Sequence, residues 1–588
     1  MSTVVTVAFD RSDVVAGDWK AEEHVLCLTP SAFDAAVESG LSPIDSILNF
    51  TDRDHARCVA AVRRALREFD AHASHLGLSP AIETVSRQGV LYGAGIGRRL
   101  LQTIRHLPAR VRDETGRWCD VGDAGGVLRA LFPRIIRLSV ISNLPWVQPI
   151  SPWLYRILFR FAARRATGSG PVIVTSGKLK LGFATAFSES GVLLTQVGVT
   201  SGDLTDYRAL KSAIFDRIPR LRVSPVADND PELCRVLSQL KQIESAFSDQ
   251  AVRTAWRLYL PLVRPALRGM LGLERAGKLL FRHRSVIGAA SYEANGWASA
   301  ALFDAAHQAG REAIVLNHNC HSLTGRATAD AIIGQLYLQR KHTKSTTTVV
   351  HWAPGDLGAA RKIAEETGYR PRELRCRIEY PVRAEPVRSR FKVLHAANYQ
   401  NWSEFFPWIA ETSDEFVRGI RQLSAVAAEI QGLDLIIRVR PKAEVDANVI
   451  RKCIAQADNV SVCTTDEDFI KQLHESDLLI SFFSTTVMQA LQMGKPVLLW
   501  GSAHRFQQVP ARRSPPTHSD RGAVYAVERV EGLRGMLTAL RDHHHDRPLT
   551  DSEVAQYRFD LEVGNERSVT RMLTERVSTD FSGRTWAT

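Results

Sequence analysis

No two of the eight cysteines, at 27, 58, 119, 234, 320, 376, 453 and 463, stand in a CxxC pair. Their scatter argues against a zinc ribbon and against a disulfide framework, and predicts reduced, mostly buried thiols. The start, MSTVVTVAFDRSD, has no basic segment running into an apolar one and no small-residue cleavage site. A cytoplasmic location is therefore expected. There is no G-x-S-x-G and no P-loop, which weakens hydrolase and phosphoryl-transfer readings. GAGIG at 93–97 fails as a dinucleotide fingerprint, because Arg98 occupies the last glycine position and no strong strand precedes it. No fixed-period repeat is visible either, which argues against a solenoid.

Acidic residues are missing from Ala124 to Ser188, where Arg129, Arg134, Arg137, Arg156, Arg160, Arg164, Arg165, Lys178 and Lys180 all fall. Leu131, Phe132, Trp146, Trp153, Tyr155 and Phe159 interleave with them. Arginines cut the apolar runs and prolines at 133, 145, 149 and 152 are expected to break the helix, so the stretch cannot span a bilayer. A basic, aromatic surface can instead lie on an anionic membrane, which would make the protein peripheral on the inner face of the cytoplasmic membrane. The same character recurs over residues 253–284. Long basic helices whose apolar faces belong to the core explain the pattern equally well. Nucleic acid is the competing partner for a net charge of +12, but no recognised motif accompanies the charge.

The length, 588 residues, predicts two to four domains, and 45% hydrophobic with 23% charged residues is ordinary for a globular protein. Apolar runs of four to eight residues alternate with amphipathic helices. VVTVAF, HVLCLT and a helix DHARCVAAVRRALREFDAHAS form a small α/β unit over 1–120. VIVTS, VLLTQVGV, a helical region from about 205 to 280, SVIGAAS, a helix from Glu293 and AIVLNH suggest a Rossmann-like domain over 121–374. A Pro- and Arg-rich linker at 375–390 follows. From Phe391 the strands FKVLHAAN, LDLIIRVR, NVSVCT, DLLISF and PVLLWG alternate with helices, giving a second Rossmann-like domain over 391–545. Residues 546–588 read as a closing helix and tail. The expected fold class is α/β: two doubly wound Rossmann-like domains facing a cleft, the architecture called GT-B.

In such sheets ligands bind at the C-terminal ends of the strands, where helix N-termini offer free N–H groups to anions. SDLLISFFSTTVMQALQMGKPVLLWG, Ser476 to Gly501, places Ser484, Thr485 and Thr486 at one of these junctions. Serine and threonine are also ordinary helix caps. The strand LDLIIRVR brings Arg438 and Arg440 to one face and ends at Pro441 and Lys442, so cations collect at the same edge. Arg505, in the turn GSAHR, adds a further contact for a phosphate or sugar.

Residues 391–508, through LIIRVRPK and DLLISFFSTTVMQALQMGKPVLLWG, resemble the donor-binding half of bacterial GT-B glycosyltransferases. The likeness is to surface carbohydrate biosynthesis proteins of capsule and lipopolysaccharide loci. That resemblance implies that Ser484, Thr485 and Thr486 contact donor phosphate and that Arg438, Arg440 and Lys442 replace the family's basic-then-His-Pro element. The chain departs at Lys442, which follows Pro441 where the family has His before Pro, and at Gln489, where many members carry a Glu that grips the donor ribose. The resemblance further implies a nucleotide-sugar donor, a glycan or lipid-linked glycan acceptor, and no cofactor. Related sequences show a Glu at a helix start and a Gln-His-Gly after the next strand, which here correspond to Glu293 and to Asn317-His318-Asn319. Glu293 and His318 are thus the candidate bases for an acceptor hydroxyl.

No metal is expected. Asp228-Asn-Asp230-Pro and Asp466-Glu-Asp468 look like helix starts, and the run Asp542 to Asp546, DHHHD, like a solvated loop. Two alternatives stay open beside the transferase: a nucleotide-sugar epimerase of the same architecture, and a non-catalytic scaffold of a polysaccharide assembly complex.

Overall fold

The computed structural model describes residues 5–17, 19, 25–41, 43, 52–103, 109–113, 115–136, 171–177, 179, 182–199, 220–317, 321–327, 330–331, 333–334, 343–378, 380, 389–398, 413–440, 445–454, 456–464, 469–501, 506–560 and 562–582. The described strands form three sheets. A four-stranded sheet holds β1 (Val5–Ala8), β2 (Val25–Cys27), β3 (Ala109–Arg112) and β4 (Trp118–Val121) in the order β2-β1-β3-β4. A seven-stranded sheet follows, with β5 (Val172–Thr175), β6 (Leu193–Val199), β7 (Arg220–Val223), β8 (Val286–Ser291), β9 (Glu312–Leu316), β10 (Thr348–His351) and β11 (Arg372–Arg375). Its order is β11-β10-β9-β8-β5-β6-β7, and every pairing is parallel. The third sheet contains β12 (Phe391–Ala397), β13 (Leu433–Val439), β14 (Val460–Cys463), β15 (Leu478–Ser481), β16 (Val497–Leu499) and β17 (Val524–Ala526). It too is all parallel, in the order β14-β13-β12-β15-β16-β17.

Both large sheets are doubly wound. In each, the strand order reverses beside the first strand, between β5 and β8 and between β12 and β15, which makes a crevice at the strands' C-terminal ends. These are two Rossmann-like halves in the GT-B layout, with additional elements at both termini. The C-terminal helix Glu566–Ser582 returns to the first half: Val569 and Leu573 share a cluster with Phe183 and Phe187, and Arg567 Nε lies 2.8 Å from Glu189.

The first hundred or so residues join the halves. Side chains alternate across a strand, so Val7, Phe9, Leu26, Leu28 and Val111 enter the cluster of helices Asp52–Leu76, Pro80–Thr103 and Gln250–Leu280. Ala8, Val25 and Cys27 face the other way, into the cluster of the third sheet and helix Ser413–Ala428. One thin sheet therefore has a different half of the molecule on each face. Helix Pro30–Glu38 adds a polar contact, with Asp34 accepting from the backbone N–H of Asp446 at 3.1 Å.

The structure gives the rejected GAGIG fingerprint a packing role, and it overturns several other expectations. The GAGIG glycines belong to helix Pro80–Thr103, where Gly89 and Gly93 receive helix Gln250–Leu280. A Cβ on Gly93 would lie 3.3 Å from Ala255 Cβ, and one on Gly89 only 2.2 Å from the Tyr259 ring. Pro133 does not break its helix but sits inside Ala124–Ile136, whose Leu131 and Phe132 are fully buried. The helical region expected from 205 to 280 contains strand β7, followed by helix Pro231–Gln242 with Asp230 as its N-cap. The helix expected from Glu293 begins instead at Trp297, after an Asn295-Gly296 turn. The DHHHD run closes helix Leu533–His544, and His544 is buried against Tyr525, whose hydroxyl lies 3.0 Å from Nε2. Cys27, Cys58 and Cys376 are buried, whereas Cys234 is exposed and Cys119, Cys453 and Cys463 are half-buried.

The basic surface expected over 253–284 is largely committed elsewhere. Trp256 and Tyr259 are core residues, with Trp256 packed on Phe69 and Phe247 at 6.1 and 5.8 Å. Arg257 pairs with Glu244, Arg264 and Arg268 with Asp228, Arg275 with Asp230 and Glu232, and Lys278 with Glu274. Residues 137–170 of the other basic segment lie outside the described residues. No helix among the described residues is long and apolar enough to cross a membrane.

Candidate functional site

The second half's crevice is assembled from three strand ends. Asn398, the residue after β12, donates from Nδ2 to the Phe483 carbonyl at 3.3 Å, while its Oδ1 lies 3.5 Å from Arg440 Nη1. One side chain thus ties the end of β12 to the ends of β13 and β15. After β15 the chain turns at Phe482 and Phe483 into helix Thr485–Gln492. Ser484 is its N-cap: extended backbone, with Oγ accepting from the Thr486 N–H at 3.3 Å. The Ser484 N–H donates to Gln508 Oε1 at 3.1 Å.

The Thr486 hydroxyl is buried with no hydrogen-bond partner among the described residues, and so is that of Ser481 at the end of β15. Leaving such a group unmet costs about 1–3 kcal/mol. A hydroxyl left this way at a helix start is suited to an anionic oxygen, because the N-terminal peptide dipoles favour negative charge there. On the neighbouring strand His395 of β12, opposite Ile480 of β15, is buried, and burial holds its imidazole down to about 4, so it is neutral at pH 7.

The first half contributes its own crevice. Ser299, in the first turn of helix Trp297–Gln308, meets Ser176 after β5 at 2.7 Å and Ser291 at the end of β8 at 2.9 Å. The Glu293 N–H reaches the Ser291 oxygen at 3.5 Å, so its carboxylate stands on the loop after β8, ahead of the helix and outside its first turn. Burial pushes the neighbouring Tyr292 phenol well above its ordinary value, and it stays protonated at neutral pH. At the ends of β9 and β10 lies Asp356, with no solvent exposure. It accepts from Asn317 Nδ2, from the His321 N–H at 3.0 Å, and faces His351 Nδ1 at 3.2 Å.

The halves touch between these crevices. His321 stacks on Phe483 with ring centres 5.7 Å apart and planes 11° from parallel, and the Ser322 N–H donates to the Gln508 carbonyl at 3.2 Å. Phe483 packs edge-on to Phe506 at 5.3 Å.

Of the residues predicted from sequence, Ser484, Thr485 and Thr486 fall at the helix start, and Arg440 reaches the same edge through Asn398. Arg438 shares the face of Arg440 but turns away: Nη1 donates to Gln472 Oε1 at 2.6 Å and the guanidinium lies 5.4 Å from the Phe469 ring centre. Gln489 is half-buried beside Tyr380, whose phenol burial pushes up to about 12 while the nearby Gln489 carboxamide opposes the shift. His318, Lys442 and Arg505 lie outside the described residues, as does Asp466-Glu-Asp468. Asn398, Gln508 and Asp356 were missed. A polar residue ending the central strand FKVLHAAN was a usable signal for Asn398, whereas nothing local marks Gln508 or Asp356. Among the described residues no three His, Cys, Asp or Glu side chains gather as a metal site would require.

No family model matches the chain, and no curated protein matches it. Among solved structures it is similar to MurG of Acinetobacter baumannii, at 13% identity and a TM-score of 0.38, over 69% of this chain and 99% of that one. It is similar to S. aureus MnaA in a structure with UDP, at 10% identity and a TM-score of 0.39, over 71% of this chain and 99% of that one. A third is Medicago truncatula UGT71G1 complexed with UDP-glucose, at 9% identity and a TM-score of 0.38, over 71% and 99%. Likenesses this distant carry no argument about what the chain does.

Proposed function

We propose that the protein is a GT-B glycosyltransferase that moves a sugar from a nucleotide-sugar donor to a glycan or lipid-linked glycan of surface polysaccharide assembly, without a metal ion. The observation that carries this reading is the second half's crevice: a Ser484-capped helix start with the buried, unmet Thr486 hydroxyl, drawn to Arg440 by Asn398. The donor phosphate would sit there, and positive partial charge at the helix start would stabilise the negative charge that develops as the leaving group departs.

For an inverting displacement, Glu293 or His318 takes the proton of the acceptor hydroxyl. Its oxygen then bonds the anomeric carbon, and the sugar–phosphate bond breaks with its electron pair leaving on the nucleotide. Arg438, which bonds Gln472 beside the strand end, is the further proposed phosphate contact on that face. Lys442, Arg505 and Gln489 remain the proposed donor contacts from the sequence.

A panel of CMP-, UDP-, GDP- and CDP-linked sugars, read as thermal shift, tests the donor site. One class is expected to stabilise the wild type and to lose most of that shift in Ser484→Ala. If none stabilises the wild type, the donor site is refuted. Full transfer by both Glu293→Ala and His318→Ala would refute the assignment of the base, and acceptor-free conversion of the donor sugar would identify an epimerase instead.

A further inference from the structure

A chain of hydrogen bonds runs from the donor-side helix start to a carboxylate in the other half. Asp356 lies in the first turn of helix Pro354–Thr367 and is wholly buried. Its oxygens hold Asn317 at the end of β9 and the backbone of His321, so one side chain binds both residues. The next residue, Ser322, is pressed against the same helix: a Cβ on Gly355 would lie 1.9 Å from Ser322 Oγ and 2.6 Å from its Cβ. Only glycine there allows Ser322 to lie so close. Ser322 in turn donates its N–H to the Gln508 carbonyl, and the side chain of the same Gln508 accepts from the Ser484 N–H. Gln508 is fully buried, so neither bond has water as a ready replacement.

We propose that Asp356 is a positioning residue for the donor site, acting through His321, Ser322 and Gln508 to hold Ser484 and the helix start that follows it. The inference rests on the reading of Ser484 to Thr486 as the phosphate end of that site. It also gives the acceptor half a direct part in donor affinity. Loss of Asp356 removes its bonds to Asn317 and His321, the Ser322–Gln508 bond loosens, and Gln508 no longer presents its oxygen to Ser484 in one orientation.

The experiment is amide hydrogen exchange on the full chain as wild type, Asp356→Ala, Asp356→Asn and Gly355→Ala, alongside titration with inorganic pyrophosphate. Exchange of the segment 482–487 should rise about tenfold in Asp356→Ala and in Gly355→Ala, the effect of losing roughly one buried hydrogen bond, while strand β13 in the same half stays as protected as in the wild type. Asp356→Asn keeps an oxygen for the His321 N–H, and Asn317 can turn its own oxygen to the new amide, so protection should return to near the wild-type value. Pyrophosphate affinity should follow the same order. Wild-type protection of 482–487 in Gly355→Ala overturns the proposal even if Asp356→Ala fails to fold, and so does an Asp356→Asn as open as Asp356→Ala. If pyrophosphate does not bind the wild type, the donor reading fails, and the exchange result still decides whether Asp356 holds the helix start.

Discussion

Replacing Thr486 by Val separates a structural from a ligand-binding role for the unmet hydroxyl. The two side chains have nearly the same shape and helix propensity, so the change removes the oxygen and little else. That oxygen is buried without a partner among the described residues. Its removal should therefore stabilise the second half, by about 1 kcal/mol at the low end of the usual cost, or roughly 2–4 °C for a unit of 150–250 residues. If the hydroxyl donates to a donor phosphate, the same substitution forfeits a charge-assisted bond of about 1.5–3 kcal/mol, a loss of roughly 10–100-fold in affinity. Thermal melting with and without the stabilising nucleotide sugar, and calorimetric titration, read the two effects on one sample. Ser481→Ala is the control: that hydroxyl is equally buried and unmet but belongs to strand β15 and not to the helix start, so melting should rise and affinity stay put. A Thr486→Val protein that melts lower than the wild type, or binds nucleotide sugar as tightly, refutes the reasoning.

Helix packing gives a second pair of expectations. Gly93→Ala should leave the melting temperature nearly unchanged, because an Ala255 contact at 3.3 Å offsets a helix-propensity gain of about 1 kcal/mol, whereas Gly89→Ala meets the Tyr259 ring at 2.2 Å and should lose about 1–3 kcal/mol by denaturation. The buried His395 predicts acid sensitivity with a definite sign. Its folded value of about 4 lies below the ordinary 6.5, so the unfolded chain binds a proton that the folded one refuses. Stability should be complete above pH 6.5 and fall as pH drops towards 4, and His395→Leu should flatten that slope in urea titrations across the window. For membrane docking, flotation with anionic vesicles should weaken when Arg156, Arg160, Arg164 and Arg165 become Gln. It should stay unchanged for Arg257→Gln and Arg275→Gln, whose charges are already paired.

Much of the layout was legible because it is written locally. Strands β5, β8, β9, β12, β15 and β16 are apolar runs buried almost throughout, as parallel strands under helices must be, while β13 shows its period in alternating burial. The missed strands are mostly of another kind. RLRV in β7 and RELR in β11 lie at the edges of the seven-stranded sheet, where charge guards an open edge and erases the apolar signal. β10, TVVH, is interior but only four residues long and follows a polar run. The helix placed at Glu293 starts at Trp297 because the intervening residues form a turn, and element ends are the least local feature of a pattern.

The sequence by itself determined that a capped helix follows a buried strand at Ser484, that Arg438 and Arg440 share a face, and that two doubly wound halves succeed one another. Periodicity fixes such things because it depends only on neighbours along the chain. Tertiary structure alone decided that Arg438 pairs with Gln472 while Arg440 reaches Asn398, and that the arginines of helix Gln250–Leu280 are neutralised by acids brought to its side. It also decided that the first small sheet has a different half on each face, and that Asp356 and Ser484 are joined through Gln508. Each of these depends on which distant residue fills the space beside a side chain, a choice set by packing of the whole molecule and carried by no local pattern.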